Sequence, residues 1–176
     1  MVYDQSLQYV AVVLSEFDRS QSSPSESDAL VRTAFNRYYY AAFIRARQLL
    51  TVISAVHPSK KKLGHSDYPK HIAGHVKRSL DRGINHARKS KLITDADWLR
   101  LNSELKSSTK SISATLTSAY QIRVTADYTP ERAVTLRPAP SLEGVTIKEA
   151  RQWRTTVAIG CSKIEQTWKD CGQGPI

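Results

Sequence analysis

The chain has little cysteine and no concentration of glycine. Only two cysteines occur in 176 residues, Cys161 and Cys171, ten apart. That spacing fits neither a metal knuckle nor a disulfide framework. A half-buried Cys161 and an exposed Cys171, both plain thiols, are expected. The seven glycines are scattered, so no glycine-rich phosphate loop exists. Aspartate and glutamate total 16 and do not cluster, which excludes paired carboxylates for two-metal chemistry. His71 and His75 stand four apart, but no HExxH pattern occurs and zinc would need a third ligand. No metal and no cofactor is expected. No apolar run approaches the roughly 20 residues of a membrane span, so no membrane contact is expected. The first residues, MVYDQSLQYVAVVLSEF, carry Asp4 early and no basic leader. A cytoplasmic location is the expectation.

Strand signals are also scarce, with no strict alternation bounded by Asn-Gly or Asp-Gly turns. Helical periodicity runs through most of the chain. A first helix is expected from about Asp4 to Asp18, with Leu7, Val10, Val13, Leu14 and Phe17 on one face. In the serine-rich stretch RSQSSPSES, Ser23 precedes Pro24, and Glu26 follows three residues after Ser23. This is a capping box with proline at the first helical position. The second helix meets no breaker until Pro58. Its core stripe is Val31, Phe35, Tyr38, Ala42, Ala46, Leu49, Ile53 and Val56, with Thr33, Arg37, Tyr40, Ile44 and Arg47 beside it. The third helix runs from Asp67 or Pro69 to Leu80 and ends at Gly83 and ARKSK. Thr94 and Asp97 form a second capping signal. The fourth helix continues to about Ala126 on Trp98, Leu101, Leu105, Ser108, Ile112, Ala119 and Ile122. After an irregular connection rich in proline, a fifth helix spans Thr146 to Asp170 on Ile147, Ala150, Trp153, Val157, Cys161, Ile164 and Trp168. The reading is all-α: an antiparallel bundle of about five helices, two of them long, in a single domain over residues 1–172. Residues 173–176 form a flexible tail.

What the chain has in excess is positive charge: 26 Lys and Arg against 16 Asp and Glu, a net charge of +10. Such a balance favours a polyanionic partner. All five histidines lie between His57 and His86, and His57–Lys91 holds ten Lys or Arg against two Asp. Clustered cations on a polar face release counterions from nucleic acid. Lys60, Lys61, Lys62, Lys77, Arg78 and Arg88 are the candidate phosphate-binding residues. A separate constellation lies in SAYQIRVTADYTP. Arg123 and Asp127 are an i,i+4 pair, and Asp127 sits at a helix C-terminus, where the macrodipole disfavours an anion. A cation should meet it, either Arg123 or Arg37. With Arg37 as the partner, Arg37→Ala would destabilise strongly, and Arg37→Met with Asp127→Leu would recover part of the loss.

The segment NRYYYAAFIRARQLL resembles the SRAYYAAFHAARALL segment of HEPN domains. IRVTADYTPERA resembles that family's later R-x-x-A-D-Y element, and the two occur in the family's order. The resemblance marks Arg37, Tyr39, Tyr40, Arg123, Asp127 and Tyr128 as family-motif positions. It implies a helical bundle that is usually a homodimer, in proteins that are often metal-independent ribonucleases of toxin–antitoxin or defence systems. Other members bind nucleotides or partner a nucleotidyltransferase. Catalytic members carry R-x4–6-H, in which arginine holds phosphate and histidine assists attack by a ribose 2′-hydroxyl. Here the position completing that motif after Arg37 is Ile44, and no Arg–His pair has the required spacing. Arg82 and His86, four apart, would share a face if the helix persisted through Gly83, and they are the candidate catalytic pair. Two functions stay open: an RNA- or nucleotide-binding protein, with ribonuclease activity or without; or a non-catalytic dimeric module for a protein partner, such as an acidic antitoxin or a nucleotidyltransferase.

Overall fold

The computed structural model describes residues 2–16, 23–53 and 63–172. The protein is mostly helical: α1 (Val2–Glu16), α2 (Pro24–Val52), α3 (Asp67–His71), a π-helical turn (Ile72–Val76), α4 (Lys77–Lys89), α5 (Asp95–Tyr128) and α6 (Ile147–Asp170). α3, the π turn and α4 are continuous, which gives five helical rods among the described residues. A two-residue hairpin, β1 (Ser141–Leu142) with β2 (Val145–Thr146), precedes α6. The fold is an all-α bundle. Lys60, Lys61, Lys62, His57, Phe17, Val56 and the expected tail 173–176 lie outside the described residues.

Three helix starts carry reciprocal capping boxes. The Ser23 amide donates to Glu26 Oε2 at 2.8 Å, and the Glu26 amide donates to Ser23 Oγ at 3.3 Å. Thr94 and Asp97 repeat the arrangement at 3.3 and 3.1 Å. Thr146 and Glu149 do so at 2.7 and 3.2 Å. Each pair satisfies two amides that a helix start leaves without partners.

Residue proximity divides the chain into two compact units, Met1–Ile44 with Leu116–Thr155, and Arg45–Thr115 with Thr156–Ile176. In the first unit, Val31, Phe35, Tyr38, Tyr39, Ala42, Ala119, Ile122 and Trp153 are buried. Tyr38 shares a hydrogen bond with Ser15 Oγ at 3.2 Å. The Tyr39 ring lies 5.4, 5.8 and 6.0 Å from those of Tyr40, Phe43 and Tyr120. Arg32 and Asn36 of α2 meet residues 125–132, and Tyr39 meets Tyr120. Here α2 and α5 are therefore antiparallel. The expected face of α1 is rotated: Val10 and Val13 are 42% and 49% exposed, whereas Asp4 and Ala11 are buried. The cause is an ion pair, since Arg154 Nη2 lies 2.9 Å from Asp4 Oδ2 and draws that edge of the helix inward. The hairpin turns on Glu143 and Gly144, with φ of 51° and 76°. Positive φ at both central positions is what a tight two-residue turn needs.

In the second unit, Ala46, Leu49, Ile53, Leu101, Leu105, Ile112, Val157, Cys161 and Ile164 are buried together with one face of the 67–89 rod. Two expectations fail here. Gly83 does not end a helix; α4 continues to Lys89. An internal glycine costs about 1 kcal/mol relative to alanine, while Leu80, Ile84 and Ala87 are buried around it and contribute more than that. The thiols are more buried than expected: Cys161 is fully buried and not half-buried, and Cys171 is 2% accessible and not exposed. The last turn of α6 is closed by the Cys171 amide on the Thr167 carbonyl at 3.2 Å, with Gly172 following at φ 69°. That left-handed residue is the usual device for ending a helix.

Candidate functional site

Tyr68, Ile72, Val76, Leu80 and Ile84 are all buried, each four residues after the last. In a regular α-helix a strict spacing of four drifts by about 40° per step. The π turn, with its wider repeat, takes up that drift and keeps the five side chains on one side. On the other side it gathers cations. The His71 and His75 rings have centroids 4.8 Å apart. The Arg78 guanidinium folds back over Gly74, lying 3.5 Å from where a β-carbon there would be. Arg82 Nη2 is 3.4 Å from Ser79 Oγ. Arg78, Asp81 and Arg82 line a shallow depression of about 340 Å³. Burial first, then the charges of His71, Arg78 and Arg82, hold the His75 imidazole below the usual histidine range. A neutral imidazole among guanidinium groups can accept a proton or a hydrogen bond while the arginines hold an anion.

The expected phosphate-binding residues separate into two groups. Lys77 is paired with Asp81 at 2.7 Å. Arg88 lies 4.4 Å from the Trp98 ring centroid and pairs with Asp95 at 2.8 Å. Trp98 in turn donates to Asn85 Oδ1 at 2.9 Å, so Arg88 and Asn85 tie α4 to the start of α5. Arg78 and Arg82 form no ion pair among the described residues, and both are exposed. Arg82 and His86 share a face, because α4 persists through Gly83, and His86 is exposed. The sequence places His71 and His75 in the basic window without making either a site residue, and no group of three metal-ligating side chains occurs among the described residues. The usable signal was the spacing of His75, Arg78 and Arg82, three and then four residues apart. It runs histidine before arginine, the reverse of the motif order.

The second constellation is a helix end. Arg123 Nε lies 2.9 Å from Asp127 Oδ2, and Asn36 Nδ2 donates to Asp127 Oδ1 at 2.6 Å. Arg123 also donates to Tyr128 Oη at 3.3 Å and lies 6.0 Å from the Tyr40 ring centroid. Arg37, the other expected partner of Asp127, is exposed, and Asn36 holds that place. Arg123 is thus the cation that meets Asp127, and a second cation, Arg32 of α2, reaches the same helix end. Arg32 Nη1 donates to the carbonyls of Thr125, Ala126 and Thr129, each at 3.4 Å, and Nη2 donates to those of Pro130 and Arg132. Thr125 and Ala126 belong to the last turn of α5, and Thr129, Pro130 and Arg132 to the loop after it. The Thr125 and Thr129 carbonyls also accept the Thr129 and Arg132 amides, so Arg32 adds a cationic donor to the negative end of the helix.

Neither thiol is set up for chemistry. Burial pushes Cys161 up to about 12 and Cys171 up to about 11, so both stay protonated near neutrality. Comparison with protein-family models, curated proteins and solved structures returns no match.

Proposed function

We propose that this helical protein binds RNA through the Arg78–Arg82 face of the α3–α4 rod. The observation that carries the reading is a depression lined by Arg78 and Arg82, two exposed guanidinium groups with no ion pair among the described residues. Asp81, which also lines it, is paired with Lys77 at 2.7 Å. His75, one turn before Arg78, has its imidazole held below the usual histidine range. Phosphodiester is the anion such a face suits: guanidinium holds the non-bridging oxygens, and a neutral imidazole beside them is chemically able to take a 2′-hydroxyl proton. The net charge of +10 supports a polyanionic partner. The resemblance of NRYYYAAFIRARQLL and IRVTADYTPERA to HEPN segments supports the same class, in a defence or toxin–antitoxin setting. The test is incubation with a mixed RNA pool in EDTA alongside an anisotropy titration. Salt-sensitive binding that Arg78→Ala with Arg82→Ala weakens at least tenfold supports the reading; binding that ignores both substitutions refutes it. Cleavage lost in His75→Ala but kept in His86→Ala would make His75 the catalytic base. Loss only in His86→Ala would restore the Arg82–His86 pair to that role.

A second reading has its own observation. Tyr9, Val10 and Val13 of α1 are 70%, 42% and 49% exposed, an apolar strip suited to a homodimer or a protein partner. A non-catalytic dimeric module, recruiting an acidic antitoxin or a nucleotidyltransferase, would use that strip. Sedimentation of wild type and Val13→Glu separates it from the first reading. A dimer that Val13→Glu converts to monomer, with RNA binding absent, favours the module.

A further inference from the structure

The second unit holds a depression unrelated to the cationic rod. Gly160 of α6 sits against α5 so closely that a β-carbon on it would lie 2.7 Å from Ile112 Cγ1 and 3.5 Å from the Ser108 carbonyl oxygen. Beside this contact the side chains are small and hydroxylated, and they leave a hollow of about 180 Å³. Ser107, Ser108, Ser111 and Thr156 line it together with Gly160, and Ile159 and Lys163 stand at its margin. Ser108 is 4% exposed, and its Oγ is buried with no hydrogen-bond partner. A buried hydroxyl without a partner costs about 1–3 kcal/mol, and its place on a hollow points to something that enters. Ser107 Oγ already donates to the Glu104 carbonyl at 3.0 Å, so toward the hollow it offers only lone pairs. Ser108, Ser111 and Thr156 can donate, Lys163 brings a positive charge, and among the described residues no carboxylate lines the hollow.

We propose that this hollow binds a small tetrahedral oxyanion, a phosphoryl or sulfate-like group, with Ser108 Oγ donating at its floor and Lys163 supplying charge at its mouth. Hydroxyl donors with one ammonium and no competing anion suit such a group, and the hollow is large enough for it. The occupant is either free inorganic oxyanion or the terminal phosphoryl of a nucleotide; the chemistry of recognition is the same.

The experiment is an amide NMR titration with inorganic phosphate, and in a second arm with 5′-AMP, of protein carrying Arg78→Ala and Arg82→Ala. Those substitutions remove the rod's anion site, so failure of the RNA reading and failure of this one are distinguishable. Saturable shifts at the Ser108 and Gly160 amides are expected, weakened at least tenfold by Ser108→Ala and by Lys163→Gln. Ser108→Ala without ligand should melt no lower than its parent, since the hydroxyl it removes has no partner; that result shows the variant to be folded. Tighter binding of 5′-AMP than of phosphate identifies the nucleotide as the source, and equal binding identifies the free oxyanion. Shifts at these amides that are absent, that sodium chloride at equal ionic strength reproduces, or that persist in both variants overturn the proposal.

Discussion

Arg32 and Arg37 differ by five positions in sequence and by their whole role. Arg32 ties the last turn of α5 and the loop after it to α2 through five carbonyl acceptors, whereas Arg37 is exposed. Arg32→Ala should therefore cost about 2 kcal/mol, the scale of hydrogen bonds made by a charged group. Arg37→Ala should stay within about 0.5 kcal/mol, as exposed substitutions do. Urea melts of the two variants check this, and equal losses would reassign the tie. His75 gives a pH signature. Its folded value lies below 6.5, so between the two values the unfolded chain binds the extra proton and stability falls as pH drops. RNA affinity moves the other way, rising as the protonated imidazole adds a charge to the face. His75→Gln should flatten both trends. The cysteines act at the opposite end of the scale. Their folded values of about 12 and 11 exceed the ordinary 9.0, so the stability they contribute is intact below pH 9.0 and declines as pH rises toward the folded values. Denaturant melts of Cys161→Ala should show a shallower alkaline decline than wild type, and iodoacetamide should modify neither native thiol quickly at pH about 8.

At the scale of elements, one ion pair fixes how α1 lies. Asp4 is 1% exposed and Arg154 meets it at 2.9 Å. Arg154→Ala would leave a buried carboxylate alone and should cost about 3 kcal/mol, read by thermal melting; Asp4→Leu with Arg154→Met should recover much of that loss. The three capping boxes share a pH dependence. Hydrogen bonds from the Ser23 and Thr146 amides, and from the Thr94 hydroxyl, hold Glu26, Glu149 and Asp97 below their ordinary values. The stability they contribute is present above pH 4.5 and lost as pH falls through those lowered values. Periodicity and caps made most of this architecture legible. Val31, Phe35, Tyr38, Ala42, Ala46, Leu49 and Ile53 were a visible stripe, and all are buried. Ser23–Glu26 and Thr94–Asp97 announced their helices; Thr146–Glu149 carried the same signal. The π turn did not announce itself, because its cause is tertiary: a run of four-residue spacings that must all stay buried. Gly83 read as a stop because a local penalty is visible in sequence and the burial that overcomes it is not. Asn36 rather than Arg37 at Asp127 is a single step along α2, about 100° of rotation, which only the packed helix decides. The candidate site was legible as a basic, histidine-rich window but not as a cluster, since charge counts cannot separate the paired Lys77 and Arg88 from Arg78 and Arg82.

At the scale of the whole molecule, no described helix is long and apolar enough to cross a membrane, and the chain's net charge is +10. Only part of that charge can serve a partner. Arg45 with Glu165, Arg88 with Asp95 and Arg154 with Asp4 are spent within the fold at 2.9, 2.8 and 2.9 Å. Polyanion affinity should therefore be concentrated on particular arginines and not spread over all 26 basic residues. The decisive measurement is the dissociation constant for a single-stranded RNA oligonucleotide as a function of salt, in wild type and in Arg78→Ala with Arg82→Ala. Each phosphate contact contributes about −0.7 to the slope of log K against log salt on single strands. The double substitution should flatten the slope by about 1.4 and weaken binding at every salt concentration. An unchanged slope and affinity would contradict the assignment of RNA to this face.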